Sequence, residues 1–115
     1  MTYYVNRKNV SGEEGVGHAS AGHSVYMLLD EKNGCAAGCF TGVSMYDMTE
    51  YSEPGKHEDQ EGFYVIEGTG WARVGDQEFR IEPDGSFMVP AKTAHTLKKD
   101  PNSESLKVFW FHAPV

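Results

Sequence analysis

The stretch Pro54–Gly68, PGKHEDQEGFYVIEG, holds a histidine and several acids directly before an apolar run. His57 and Glu61 are separated by an even number of residues, so in an extended chain both side chains leave the same face. Such a pair can share one ion or ligand. The alternative is an acidic surface loop that leads into an ordinary strand, and the stretch alone leaves both interpretations open.

Short segments of strand length make up most of the chain. Its 13 glycines and 5 prolines separate segments that are rich in β-branched and aromatic residues. The predicted strands are residues 24–29, 39–48, 62–68, 70–75, 77–82, 86–90, 94–99 and 106–112. No apolar repeat of helical period persists, so at most one short helical turn is expected. The sequence therefore predicts an all-β sandwich or closed barrel.

The chain of 115 residues is long enough for one domain with its own core. Its first 23 residues are small, Gly-rich and polar, which predicts an N-terminal arm over residues 1–23. The β-domain is then expected to span residues 24–115.

Turn residues predict how neighbouring strands pair. Glycines at 68 and 70, and the Gly-Asp pair at 75–76, predict an antiparallel meander of three strands. The Asp-Gly pair at 84–85 precedes another strand, and a further strand is expected to begin near His95. Alternation on that strand places His95 and Leu97 on one face, where His95 can look into a barrel.

Composition limits the partners and the compartment. The chain has 10 Lys+Arg against 17 Asp+Glu and a net charge of -7, without a basic cluster that could follow a phosphate backbone, so no nucleic acid partner is expected. There is no apolar run of the ~20 residues that cross a bilayer and no secretion signal, so we expect a cytoplasmic protein without a membrane partner. Cys35 and Cys39, in an extended segment, would lie too far apart for a disulfide and are expected to be reduced packing residues.

His95 is the third residue of a possible metal site. Closure of a barrel could bring it opposite His57 and Glu61. Two imidazoles and one carboxylate leave coordination positions open on Fe(II), and the same donors suit catalytic Zn. We therefore expect a divalent metal ion, which could be Fe, Mn, Ni or Zn.

Two segments resemble the conserved motifs of the cupin superfamily. HEDQEGFYVIEG matches the second half of the first motif, G-x5-H-x-H-x3,4-E-x6-G, at His57, Glu61 and Gly68. PDGSFMVPAKTAH is similar to the second motif, G-x5-P-x-G-x2-H-x3-N, at Pro90 and His95. The resemblance implies a small single-domain jelly-roll β-barrel of the cupin 2 kind, with a metal held by His57, Glu61 and His95.

One position departs from the first motif in a way that affects the chemistry. The family has a second histidine two residues before His57, where this chain has Gly55. The site could hold metal with three ligands, recruit a substitute ligand, or bind an organic molecule without metal. The candidate substitutes are His112, His18, His23 and Glu53.

The last predicted strand suggests a homodimer. VFWF, residues 108–111, has apolar side chains on both faces of the strand, so one face would be left exposed in a monomer.

The resemblance implies a cupin that binds or transforms a small polar metabolite at a divalent metal. An enzyme is favoured, with sugar or uronate isomerase or lyase chemistry, or dioxygenase chemistry, and with His112 and Tyr46 as candidate proton donors. The alternative is a non-catalytic ligand-binding or sensory module that has lost a metal ligand at Gly55. Fold alone does not choose between them.

Overall fold

The computed structural model describes residues 2–14 and 22–115, and its regular structure there is almost entirely antiparallel β. The strands are β1 (Glu13–Glu14), β2 (His23–Met27), β3 (Phe40–Tyr46), β4 (Gln60–Glu67), β5 (Gly70–Val74), β6 (Gln77–Ile81), β7 (Ser86–Val89), β8 (His95–Lys99) and β9 (Leu106–Ala113). The predicted all-β class is confirmed, and each predicted strand has its counterpart.

Two short 3-10 helices, Arg7–Asn9 and Glu31–Asn33, are present where at most one helical turn was predicted. Their capping explains the difference. Asp30 accepts a hydrogen bond from the Lys32 backbone N–H at 2.9 Å, and Gly34 ends the second helix with a φ of 105°. Helices of three residues are too short for apolar periodicity to reveal. In the described part of the chain, no helix is long and apolar enough to cross a membrane.

The strands form two facing sheets in the jelly-roll manner that the resemblance implied. The larger sheet has the order β1-β2-β3-β9-β4-β7 and the smaller one β6-β5-β8. Residues that are at most 1% exposed fill the space between them, with Val65 of β4 directly paired with Val108 of β9 and Leu97 contributed by β8. Burying each such side chain stabilises the fold by about 1.5–3 kcal/mol.

The predicted three-strand meander is wrong at its first turn and correct at its second. β5 pairs with β6 through the turn at Gly75, but β4 pairs with β7 and β9 and not with β5. At Gly68 the φ is +86°, and a Cβ there would lie only 1.8 Å from the Ser105 carbonyl oxygen. The glycine therefore allows a close backbone approach at which the chain leaves one sheet for the other.

The two cysteines are free, as predicted, although the segment between them is not extended. Ala37 and Gly38 have φ values of 56° and 79°, and the Cys39 N–H donates to the Ala36 carbonyl at 3.1 Å. This tight turn folds the segment back on itself. Burial raises the pKa of the Cys35 thiol, and a hydrogen bond with Cys39 raises it further. The expectation that Cys35 and Cys39 lie in an extended segment was therefore wrong.

Part of the predicted N-terminal arm lies along the edge of the larger sheet. β1 pairs with β2, and Gly12 lies so close to Tyr26 that a Cβ there would come within 2.6 Å of the ring. His23, the last residue assigned to the arm, is the first residue of β2. The Gly-rich stretch 15–21, which includes His18, is outside the described residues.

Candidate metal centre

A cavity of about 350 Å³ opens between the two sheets, and its lining carries the predicted metal ligands. Glu61 enters it from β4, and His95 from the first position of β8. His57 reaches it from the loop before β4. This loop is held against β8 by two backbone hydrogen bonds of 2.9 Å between Gly55 and His95. The bridge explains how two segments far apart in sequence present their side chains to one cavity.

His57, Glu61 and His95 bring one donor atom each to within 4.8 Å of one another. The Nε2 atom of His57 lies 2.9 Å from Oε1 of Glu61, and the Nε2 atom of His95 lies 3.3 Å from the same oxygen. Both imidazoles therefore present the same ring nitrogen to one carboxylate. The three side chains that the sequence singled out are neighbours in space.

His112 is a fourth side chain at this carboxylate. β9 pairs with β4 so that His112 stands directly opposite Glu61, and its Nε2 atom lies 3.3 Å from Oε2 of Glu61. The ring also stacks on Phe40 at a centroid distance of 4.2 Å. His112 thus belongs both to the aromatic packing of the last strand and to the polar cluster.

Asp59 orients two of the imidazoles from behind. Its carboxylate accepts a hydrogen bond from Nδ1 of His112 at 2.9 Å and lies 2.7 Å from Nδ1 of His57. Sequence reasoning missed this residue. The available signal was its spacing, since residues 57, 59 and 61 alternate onto the same face of an extended chain.

The Nδ1 atom of His95 also has a partner, the Thr93 carbonyl oxygen at 3.3 Å. Each of the three rings is therefore anchored through Nδ1, while its Nε2 atom points toward Glu61. Without metal these Nε2 atoms can donate to Glu61; because Nδ1–H is anchored, loss of the Nε2 proton leaves the Nε2 lone pair free to bind a metal, as in known metal-ligating histidines. The donor set and its orientation fit a divalent metal ion.

The electrostatics of the cluster favour an ionised carboxylate. Burial of Glu61 raises its pKa, but hydrogen bonds from His112 and His95, together with their charges, lower it to about 2. Burial lowers the pKa of His112, but its hydrogen bond to Glu61 and the charges of Glu61 and Asp59 outweigh this and raise it above 6.5. Glu61 is thus an anion at neutral pH and is available as a ligand.

The other candidate substitutes are placed differently. His23 lines the cavity and stacks on Tyr46 at a centroid distance of 4.2 Å, and Glu53 lies on the exposed rim. Among residues 2–14 and 22–115, neither belongs to a group whose donor atoms could meet on one ion. His18 is outside the described residues. His112 is the remaining candidate: its Nε2 atom lies 3.3 Å from Oε2 of Glu61, but its donor atoms group with those of His57 and Asp59 and not with the set of His57, Glu61 and His95.

Tyr46, the second candidate proton donor, is a buried part of the cavity wall. Burial raises its pKa and the nearby charge of Glu61 raises it further, while a hydrogen bond with Ser44 acts in the opposite direction. The hydroxyl therefore keeps its proton at neutral pH and can donate a hydrogen bond to a bound molecule, although the raised pKa makes it a weaker acid than a free phenol.

Comparison with known proteins identifies the family of the fold. Residues 43–112 match the family model described as a cupin domain. No curated protein sequence matches the chain significantly.

Similar solved structures include the polyketide cyclase RemF from Streptomyces resistomycificus, with a TM-score of 0.82 and 18% identity over 97% of this chain and 79% of that one. An RmlC-like cupin from Shewanella frigidimarina has a TM-score of 0.76 and 16% identity over 100% and 93% of the two chains. An Fe(II) form of HppE in complex with substrate has a TM-score of 0.80 and 15% identity over 96% of this chain but only 59% of that one. At these identities the likeness concerns the fold alone.

Proposed function

This chain belongs to the cupin family, and from that premise we propose that it is a metal-dependent enzyme whose divalent ion is held by His57, Glu61 and His95. One observation carries the proposal. The Nε2 atoms of His57 and His95 lie 2.9 and 3.3 Å from the same buried carboxylate oxygen, in rings anchored from behind. A buried carboxylate among imidazoles is costly unless its charge is compensated, and a bound cation provides that compensation.

His112 is proposed as the fourth protein ligand, in place of the histidine that Gly55 replaces. Its Nε2 atom lies 3.3 Å from the second oxygen of Glu61, on the side of the carboxylate away from His57 and His95. This assigns His112 to the metal rather than to proton transfer. Tyr46 then remains the candidate proton donor.

Fe(II) is the ion we propose, because His57, Glu61 and His95 are the two imidazoles and one carboxylate of non-haem Fe(II) oxygenases, and an octahedral ion that also binds His112 still has two open positions. HppE, whose fold is similar, was solved with Fe(II). When bound, the ion would supply Lewis-acid polarisation of a ligand oxygen or reaction with O2. The chain's own residues enclose the bound molecule between the two sheets, away from bulk water, and offer it the protonated hydroxyl of Tyr46.

The metal is tested first. The protein is purified without an affinity tag, loaded anaerobically with Fe, Mn, Ni or Zn in turn, and its metal content is measured by mass spectrometry. Wild type is expected to hold one equivalent of Fe(II), and His57→Ala and His95→Ala are expected to lose it. His23→Ala is the matched control, because His23 lines the same cavity outside the donor groups. No stoichiometric metal in wild type under any loading would contradict the proposal.

Open coordination positions are tested without knowledge of the substrate. Nitric oxide added to the anaerobic Fe(II) form replaces O2 at an open position and produces an electron paramagnetic resonance signal of an S = 3/2 complex. That signal is expected in wild type and absent in His95→Ala. Bound iron that does not react with nitric oxide would contradict an oxygenase and favour isomerase or lyase chemistry.

The second candidate is a non-catalytic ligand-binding module, and Gly55 is the observation that favours it. A site with one family ligand missing could retain its cavity and lose its chemistry. This module would bind small molecules equally well with and without metal, whereas the proposed enzyme would not.

A further inference from the structure

The cavity is built without a lysine or arginine side chain. The chain has 10 Lys+Arg residues, and none of them is on the cavity lining. The stretches outside the described residues, Met1 and residues 15–21, contain neither Lys nor Arg. No lysine or arginine from the rest of this chain can therefore reach into the cavity from an undescribed segment.

The lining instead carries acidic groups, namely Glu61 at the centre, Asp59 behind the histidines and Glu53 at the rim. Phosphates and multiple carboxylates are held in proteins by Arg and Lys or by the N-termini of helices. In residues 2–14 and 22–115 the helices are two 3-10 turns of three residues each, neither of which lines the cavity. A ligand with several negative charges would find the metal as its sole positive partner.

The charges near the ion balance one another. The two positive charges of a divalent ion are offset by the carboxylates of Glu61 and Asp59 when the imidazoles are neutral. A ligand with a net negative charge would then meet no counter-charge, and one with a net positive charge would meet only the Glu53 carboxylate at the exposed rim. A neutral ligand has no such cost.

Apart from the side chains of Ser44, Ser52, Thr96 and His23, the remaining wall is apolar and largely aromatic. Trp110 already donates its Nε1–H to Ser44 at 2.8 Å, so its ring presents carbon atoms to the cavity. Flat molecules pack well between aromatic rings. The apolar lining residues are Val25, Phe40, Tyr46, Phe63, Leu97 and Trp110.

We propose that the substrate is a neutral, flat molecule with an apolar body and one oxygen-bearing edge, such as a phenol, enol or conjugated ketone. The proposal rests on the proposed function, because the oxygen-bearing edge is the part that meets the ion. The apolar body lies between the rings of the wall. The cavity of about 350 Å³ is at the lower end of the range for small-molecule sites, so the substrate has one or two rings. Uronates and phosphorylated sugars do not belong to this class.

Three phenols of nearly equal shape test the charge selectivity. They are 4-tert-butylphenol, which is neutral, 4-hydroxybenzenesulfonate, which carries a fixed negative charge, and (4-hydroxyphenyl)trimethylammonium, which carries a fixed positive one. Binding is measured by titration calorimetry with the Fe(II) protein under anaerobic conditions, and again with EDTA-treated protein. The neutral phenol is expected to bind at least 10-fold more tightly than the sulfonate in both forms, because the wall rather than the metal discriminates.

A pair of variants checks that the sulfonate binds weakly because the cavity lacks a Lys or Arg side chain. Ser52 lines the cavity and is only half-buried, so a longer side chain is tolerated there. Ser52→Lys is expected to bind the sulfonate at least 5-fold more tightly than wild type does. Ser52→Gln, which is neutral and of similar size, is expected to bind it no more tightly than wild type. Circular dichroism and thermal unfolding establish that both variants fold.

The two proposals fail in different ways. Suppose that the protein holds stoichiometric metal but binds the sulfonate or the ammonium compound as tightly as the neutral phenol. That result would overturn the substrate class and leave the metal site intact. Suppose instead that no metal is bound but the EDTA-treated protein still prefers the neutral phenol. That result would overturn the metal site and support the class of ligand.

Discussion

The carboxylate of Asp59 accepts a hydrogen bond from Nδ1 of His112, with the ring nitrogen 2.9 and 3.0 Å from the two oxygens. The same carboxylate lies 2.7 Å from Nδ1 of His57, so one acid orients two imidazoles. Asp59→Asn keeps the shape and removes the charge. It is expected to weaken metal binding by about 10–100-fold, the usual effect of losing an acid that supports a metal-ligating histidine. A competition titration with a chromophoric chelator measures the affinity.

Glu58→Gln is the matched control for Asp59→Asn. Glu58 is the adjacent acid and is exposed, so the variant removes the same charge from the loop without touching the cluster. Its metal affinity is expected to stay within about 2-fold of wild type, because an exposed charge contributes little. Equal losses in both variants would mean that Asp59 acts only through the overall charge of the loop.

Local pattern was sufficient to predict the strands and the face shared by His57 and Glu61. Strands of alternating residues and the turns between them are local properties of a sequence. The presence of Asp59 on the same face could also have been found, since it has the same alternation. Its partnership with the histidines depends on how the loop closes on β8 through Gly55 and His95.

The role of His112 could not be predicted in the same way. His112 meets Glu61 because β9 pairs with β4 in one particular register, and a shift by one residue would turn its ring to the other side of the sheet. The departure of β5 from β4 at Gly68 is equally non-local, because it depends on the carbonyl of Ser105. Such pairings follow from the packing of the whole domain.

The pH dependence of the metal-free protein follows from two opposite shifts. The pKa of Glu61 falls from 4.5 to about 2 on folding, so its contribution to stability is complete above pH 4.5 and is lost as the pH falls toward 2. The pKa of His112 rises above 6.5, so its contribution is complete below pH 6.5 and is lost as the pH rises through the raised value. These two groups together favour the folded state most between pH 4.5 and 6.5.

Urea unfolding in EDTA between pH 3 and 9 measures this profile. His112→Gln is expected to flatten the decline in unfolding free energy above pH 6.5 and also to reduce the acid decline, because His112 is the first of the groups that lower the pKa of Glu61. Added metal is expected to stabilise the protein more as the pH rises, because ligands must lose their protons to bind. An unchanged alkaline slope in His112→Gln would show that another group produces it.

An exposed apolar face on the larger sheet supports the predicted homodimer. Gly62 stands opposite both Phe111 and Met88, and the same face includes Tyr64. Tyr64, Met88 and Phe111 are 42%, 45% and 36% exposed, values that are high for large apolar side chains on three neighbouring strands. We expect light scattering to give twice the chain mass of 12.8 kDa.

Met88→Lys is expected to convert that dimer to a monomer, because a buried unpaired charge is costly at an interface. Met27→Lys is the control. Met27 is similarly exposed, at 41%, but it is the last residue of β2. It is two residues after Val25 and four after His23, which line the cavity, so by strand alternation it is on their face of the sheet. A monomeric wild type, or a dimer that survives Met88→Lys, would refute an interface on this face.

Gly55 is directly opposite His95 in an antiparallel bridge, with two backbone hydrogen bonds of 2.9 Å between them. Side chains of directly opposed residues project on the same face about 5 Å apart, so Gly55→His would place an imidazole beside His95 at the cavity. The variant is expected to tighten metal binding about 10-fold relative to Gly55→Ala, which introduces a Cβ without a donor. It is also expected to restore metal to His112→Ala, because either histidine would supply the fourth ligand. Competition titration of wild type, Gly55→His, Gly55→Ala, His112→Ala and the two double variants gives the affinities. If Gly55→His binds no better than Gly55→Ala in either background, position 55 does not face the ion.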